Sequence, residues 1–206
     1  MGRDYSRDDF ILLNLSVENS NLPDVSNPIS MTEYLKNLRS RSQKPLFFGG
    51  YLEKRNIYQS ELFKENGPIR DIHLGVDVWT EAGTPIFAPI EGNIFSLAYN
   101  PLKLDYGYTL ILIHNVNGKS FYSLYGHLSS SILELYNTGD RILAGQLLGH
   151  LGDEKENGGW SPHVHCQIIL DLGNNTKDYP GVCSEQDVNF YKKNCPDPTI
   201  FILPSV

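Results

Sequence analysis

The chain has 206 residues and a mass of 23.2 kDa, enough for one well-buried core and too little for a second full domain beside it. A formal charge of −7, with no Lys/Arg run longer than two residues, argues against nucleic-acid or anionic-membrane partners. No stretch reaches membrane-spanning length, and three cysteines without a C-x-x-C pair argue against a disulfide framework or a cysteine metal site.

Twelve Tyr, nine Phe, 18 Gly and 12 Pro point to a mainly β domain rich in turns. Residues 1–29 are polar and read as an irregular or mobile arm. Their apolar run Phe10–Leu13 is too short for a signal-peptide core, so a cytoplasmic location is expected. Met1-Gly2-x-x-x-Ser6 formally fits an acylation pattern, but the charges beside it weigh against that use. Ser30-Met-Thr-Glu33 reads as a capping box opening a short helix to about Ser40. Pro45–Gly50 leads into the main body, which divides the chain into an arm with helix, 1–45, and a domain, 46–206.

From residue 70 the pattern turns to strands: Ile86–Pro89, Gly92–Tyr99 and Tyr108–His114. The dipeptide Asn117-Gly118 between Ile111–His114 and Ser120–Leu124 predicts a hairpin. Ser130–Tyr136 reads as a helical turn. Further strands are expected over Ile142–Leu148, His163–Leu170 and Ile200–Leu203. Residues 178–198 read as an irregular tail with one helical turn near Val188–Lys192.

Five side chains stand out. On a straight strand His73 and Asp77 would lie about 13 Å apart, so sharing one metal requires a bend. Gly75 is the natural place for it, with His73 reaching over from a loop and Asp77 starting a strand. His163 and His165 share one strand face, about 6–7 Å apart, with Gln167 on that face and Val164 and Cys166 turned to the core. His127 follows Gly126 in Tyr125-Gly-His-Leu-Ser129. Two imidazoles and one carboxylate make a three-ligand set with an open fourth position, as in catalytic zinc sites, leaving two histidines for proton transfer. His114 and His150 are read as structural.

The ordered blocks Arg70–Asp77, Ala82–Gly92, Asp105–His114, Tyr125–Ser129, Gly139–Gly149 and Ser161–His165 resemble the lysostaphin/LytM-type zinc endopeptidases over about residues 70–170. The resemblance implies an antiparallel β core of the duplicated hybrid-motif type, with a small N-terminal helical extension. It implies one zinc held by His73, Asp77 and His165, catalytic roles for His127 and His163, and a peptide or peptidoglycan-derived substrate. Oligomeric state is left open. The chain departs from the pattern in lacking a secretion signal, in a long loop Gly152–Pro162 before the histidine pair, and in Gln167 where Glu is common. With its tail motifs Tyr179–Cys183 and Pro196–Pro198 it also resembles the peptidase-like domain found fused to aminotransferases. Two alternatives follow: an intracellular zinc enzyme acting on a small metabolite, and a non-catalytic binding module. Three further expectations concern the groove. It is expected to be open and to take an extended peptide, with Trp160 on one wall as a substrate contact or a packing anchor. The arm is expected either to supply a fourth ligand and hold the site latent, or to pack elsewhere.

Overall fold

The computed structural model describes residues 6–58, 63 and 67–202; the start, Met1–Tyr5, and Leu203 lie outside them. In chain order the elements are β1 (Phe10–Leu12), α1 (Pro28–Ser42), β2 (Leu46–Gly49), β3 (Ile72–His73), β4 (Val76–Trp79), β5 (Pro85–Phe87), β6 (Gly92–Asn100), β7 (Gly107–Val116) and β8 (Lys119–Leu128). They continue with α2 (Ile132–Leu135), β9 (Arg141–Ile142), β10 (Leu147–His150), β11 (His163–Ile169), β12 (Val182–Cys183), α3 (Val188–Asn194) and α4 (Thr199–Ile202).

The longest strands set the architecture. β7 and β8 are joined at Asn117-Gly118, both with left-handed φ, 52° and 76°, the turn such a hairpin prefers. Around this pair runs a sheet of eight strands in the order β1-β2-β4-β11-β8-β7-β6-β9. All pairings are antiparallel except β1 with β2. Parallel neighbours need a crossover, and α1 supplies it. Two small ladders, β10 with β5 and β12 with β3, stand beside the sheet.

Both faces of the sheet are covered, which explains why Leu110-Ile-Leu112 is apolar without interruption. Leu110 and Leu112 join Val78, Val164, Cys166, Ile132 and Leu148 in the main core. Ile111 joins Leu124, Ile169, Leu172 and Tyr179 on the other side. The alternation expected for β11 therefore holds, with Val164 and Cys166 inward and the histidines opposite. Burial pushes the Cys166 thiol up to about 12, as suits a packed core residue.

Four local expectations are corrected. The arm is not irregular throughout: a 3-10 turn at Arg7–Asp9 leads into β1. The helix starts earlier, because Asn27 caps it by accepting from the Ile29 and Ser30 amides and Pro28 fits the first turn. The stretch Ile142–Leu148 is broken into β9 and β10 by a turn with Gly145 at φ 76°. Thr199–Ile202 is helical, not extended.

Candidate metal centre

Three ligand atoms converge where β3, β4 and β11 meet. His73 Nε2 lies 2.9 Å from His165 Nδ1 and 3.2 Å from Asp77 Oδ1. His165 Nδ1 lies 3.1 Å from the same oxygen. The registers that bring them together are His165 opposite Asp77 in the β11–β4 ladder and His73 opposite Val182 in the β3–β12 ladder. His73 is thus a strand residue rather than a loop residue, and Asp77 is the second residue of its strand. The bend between them falls at Leu74-Gly75. A Cβ on Gly75 would come within 2.6 Å of the His165 ring and 2.5 Å of the Cys166 carbonyl, so glycine is what lets β11 approach.

The outer nitrogen of each ring is already committed. His73 Nδ1 donates to the Gly50 carbonyl, 2.9 Å. His165 Nε2 donates to Gln167 Oε1, 3.0 Å. The Gln167 amide is oriented in turn, since its Nε2 donates to the Pro180 carbonyl and to Cys195 Sγ. Each inner nitrogen is therefore left with a lone pair. Two such nitrogens and a carboxylate oxygen, buried and facing one another, repel unless a positive charge lies among them. An ion bound at about 2.0–2.2 Å in tetrahedral geometry holds its ligand atoms roughly 3.3 Å apart, and the observed edges are close to that. His73, Asp77 and His165 fit a divalent metal, and among the described residues they are the group of His, Cys, Asp and Glu with that capacity.

The second oxygen of Asp77 is held from behind. Arg55, 3% exposed, donates through Nη1 to Asp77 Oδ2 at 2.6 Å and through Nε to Glu53 Oε2 at 2.6 Å. The fork leaves Oδ1 as the oxygen turned to the histidines. Burial alone would raise the Asp77 pKa. The His73 ring and the Arg55 guanidinium more than reverse this, and the carboxyl sits well below its usual range. For His73, burial and then the Arg55 charge hold the imidazole down at about 4.

His163 and His127 stand next to this set. His163 Nδ1 donates to the Ser161 carbonyl, 2.8 Å, and its Nε2 lies 3.9 Å from Asp77 Oδ1. Its ring stacks on Trp79. His127 Nδ1 donates to the Asn157 carbonyl, 2.8 Å, and the two rings have centroids 4.2 Å apart. His127 adopts φ 63° where the β7–β8 register slips between Tyr108 and Leu110. The bulge turns its side chain out of the regular alternation toward the site. Burial, then the neighbouring His163, holds His127 well below the usual imidazole range, and burial lowers His163 as well. Both rings are neutral near pH 7, with Nε2 as an acceptor.

Residues 71–178, just over half the chain, match peptidase family M23. The chain belongs to this family. Among its relatives is the peptidoglycan DD-endopeptidase ShyC of Vibrio cholerae, 28% identical over 134 residues. That match covers 63% of this M23 chain and 28% of the relative, so the chain spans little more than a quarter of that protein's length. Similar solved structures include the catalytic domain of the antimicrobial peptidase lysostaphin from Staphylococcus simulans, 24% identical, with a TM-score of 0.42, covering 70% of this chain and 88% of that one. A catalytic-domain variant of the prophage-encoded M23 protein EnpA from Enterococcus faecalis is 23% identical, with a TM-score of 0.43, covering 66% and 89%. The lysostaphin/LytM-type resemblance read from the six sequence blocks agrees with M23 membership.

The surroundings of this M23 site differ from the open groove that was expected. His73, Asp77, His127, His163 and His165 are only 2–6% exposed and open into a cavity of about 250 Å³. Trp160 is both wall and anchor: it lines the cavity, packs with Ile57, Tyr58, Phe63 and Val182, and donates Nε1 to the Asp105 carbonyl. From the described arm and helix, Leu15, Val25 and Met31 line the cavity, side chains that bring apolar surface rather than a fourth carboxylate or amide ligand.

Sequence reasoning missed Arg55, Glu53 and Asn157. Arg55 carries no motif; it stands beside Lys54 in the polar stretch Glu53–Asn56, well upstream of the first motif. Asn157 was visible only as part of a polar loop. Its buried amide donates to the Gly152 and Trp160 carbonyls and accepts from the Gly159 and Trp160 amides, which fixes the carbonyl that orients His127.

Proposed function

We propose that the chain is a zinc-dependent hydrolase of peptide or amide bonds, with peptidoglycan-type peptides as the substrate family. The observation that carries this reading is the convergence of three lone-pair ligands, His73, Asp77 and His165, beside two neutral histidines whose acceptor nitrogens face the same cavity. A divalent ion held there supplies Lewis acidity, polarising the scissile carbonyl and acidifying water. His163 and His127 are oriented by the Ser161 and Asn157 carbonyls, so each can accept a proton at Nε2. Once protonated, the same nitrogen can donate to the developing oxyanion or return the proton to the leaving amine. Gln167 and Gly50 keep the ligand rings in the tautomers that leave lone pairs inward. The relative named as a peptidoglycan DD-endopeptidase supports the choice of substrate. The non-catalytic alternative is disfavoured because no member of the ligand set is missing.

The test separates the two groups of histidines. Metal analysis of purified His165→Ala should show stoichiometric zinc lost. His127→Ala and His163→Ala should retain it and lose about 10²–10⁴ in rate on a muropeptide or glycine-rich peptide that the parent cleaves. Zinc kept by His165→Ala, or parental turnover in either of the other two, sinks the assignment.

A further inference from the structure

We infer that this site receives a short peptide or small amide of two or three residues, end-on, and does not admit a polymeric strand; this rests on the hydrolase reading above. An enzyme that cuts within a strand must hold chain on both sides of the scissile bond. At about 3.3 Å per extended residue, a five-residue segment needs a channel of roughly 17 Å, open at both ends. The site described here is closed in several directions. Its floor is the ligand set. Val25 of the arm packs into one apolar cluster with Ile57, Tyr58, Phe63, Trp160 and Val182, all of which line the cavity. On one side Leu15 and Met31 line the cavity, and the helix is tied to the loop before the histidine pair by the Thr32–Ser161 hydroxyl contact, 3.0 Å. On another side the loop is set by the four Asn157 amide bonds and by Gly158. That glycine has φ 86°, and its missing Cβ would lie 2.0 Å from the Asp105 carbonyl.

These walls are packed structure, not loose cover. Leu15, Met31 and Leu35 are 2–5% exposed and share a cluster with Phe47 and Trp79 of the sheet. Trp79 in turn stacks on His163, so the arm is packed through one ring onto a residue of the site. A volume of about 250 Å³ lies just below the range of roughly 300–1,000 Å³ that holds whole small molecules. The lining is apolar over Val25, Met31, Ile57, Phe63 and Val182, with charged groups confined to Arg55, Arg70, Asp77, Asp105 and Asp178. The ligand this suits is a short peptide or amide with one apolar side chain.

The experiment is a size series on the zinc-loaded full chain. Dipeptides and tripeptides with an apolar side chain are compared with a pentapeptide blocked at both ends and with insoluble peptidoglycan. Calorimetric binding of a dipeptide hydroxamate, against the hydroxamate of the blocked pentapeptide, gives a readout independent of turnover. The expected result is a preference of about 10²-fold in kcat/KM for the short substrates, tighter binding of the short hydroxamate, and no release from peptidoglycan. Comparable rates on the blocked pentapeptide or on peptidoglycan overturn the size restriction and leave the hydrolase reading intact. Absence of both turnover and hydroxamate binding across the series removes the hydrolase reading and this inference with it. In a Val25→Ala/Met31→Ala variant whose melting curve stays cooperative, the preference should shrink about tenfold; an unchanged ratio in that folded variant removes the arm from size selection.

Discussion

The floor and the walls of this cavity are built by different means. The floor is a backbone ladder: Asp77 faces His165 across β4 and β11, and His165 faces Gly126 across β11 and β8. Strand register therefore fixes the ligand atoms, and a few side-chain bonds only trim their orientation. The walls have little ladder. Loop 152–161 is set largely by the Asn157 amide. Beyond the short β1–β2 ladder and the amide bonds of Leu13, Leu15 and Val17, the arm and helix rest on apolar packing and a hydroxyl contact spanning 129 residues. A register cannot drift without moving a whole strand, whereas a side-chain bond can be removed alone. The ligand set should thus be robust to changes that alter the walls, and the following tests press on that contrast.

The largest effect is expected from a change behind the floor. Arg55→Met would leave the buried Asp77 carboxylate and the partly buried Glu53 without their shared cation, a loss of about 3–5 kcal/mol. Chemical denaturation should show it, and zinc titration should show weaker binding because Asp77 is no longer held with Oδ1 inward. A stable variant with unaltered zinc affinity would mean that the ladder alone positions the carboxylate.

Acid should act on the floor next. The His73 imidazole is held at about 4 in the folded, metal-free protein, against roughly 6.5 when unfolded. Between those values the unfolded chain binds the proton and the native one does not, so stability falls as pH drops from about 6.5 to 4. At 1.36 kcal/mol per unit this is about 3 kcal/mol for His73 alone. His127 and His163, also lowered, add loss of the same sign. A metal-free melting temperature that is flat across that window would contradict the buried neutral state.

Changes to the walls should be smaller and should spare the metal. Gly158→Ala forces a left-handed alanine against the Asp105 carbonyl, costing about 1–3 kcal/mol. It should also lower turnover by displacing the Asn157 carbonyl from His127, with zinc content unchanged. Loss of zinc in this variant would break the separation between floor and wall. Thr32→Val removes one hydroxyl contact, for about 1 kcal/mol, and should leave both zinc content and the turnover of short substrates as they were.

The same contrast explains what the sequence disclosed. The floor was legible because its chemistry lies in short motifs on strands: His163 and His165 at spacing two, and His73 and Asp77 around the one glycine that allows a bend. The hairpin at Asn117-Gly118 was legible for the same local reason. The enclosure was not, because it joins Leu15, Val25 and Met31 to Ile57 and Trp160, pairs with no common motif and long separations in the chain. Arg55 was hidden because a buried cation looks like any surface cation until its partners are known. The helix start was misplaced because two good capping residues, Asn27 and Ser30, lie three apart; Asn27 takes the cap, accepting from the Ile29 and Ser30 amides with Pro28 in the first turn. The final helix was misread because Ile200-Phe-Ile202 is apolar and too short for its period to show.

The parallel strand β1 has one further consequence. Its three residues cover the outer edge of β2, whose Leu46 and Phe47 are fully buried. An arm-deleted protein would therefore present an uncovered strand edge flanked by apolar side chains, the kind of surface on which chains pair and aggregate. The arm belongs to the solubility of the fold as much as to the shape of its cavity, and trimming it is a route to precipitate before it is a route to an unveiled enzyme.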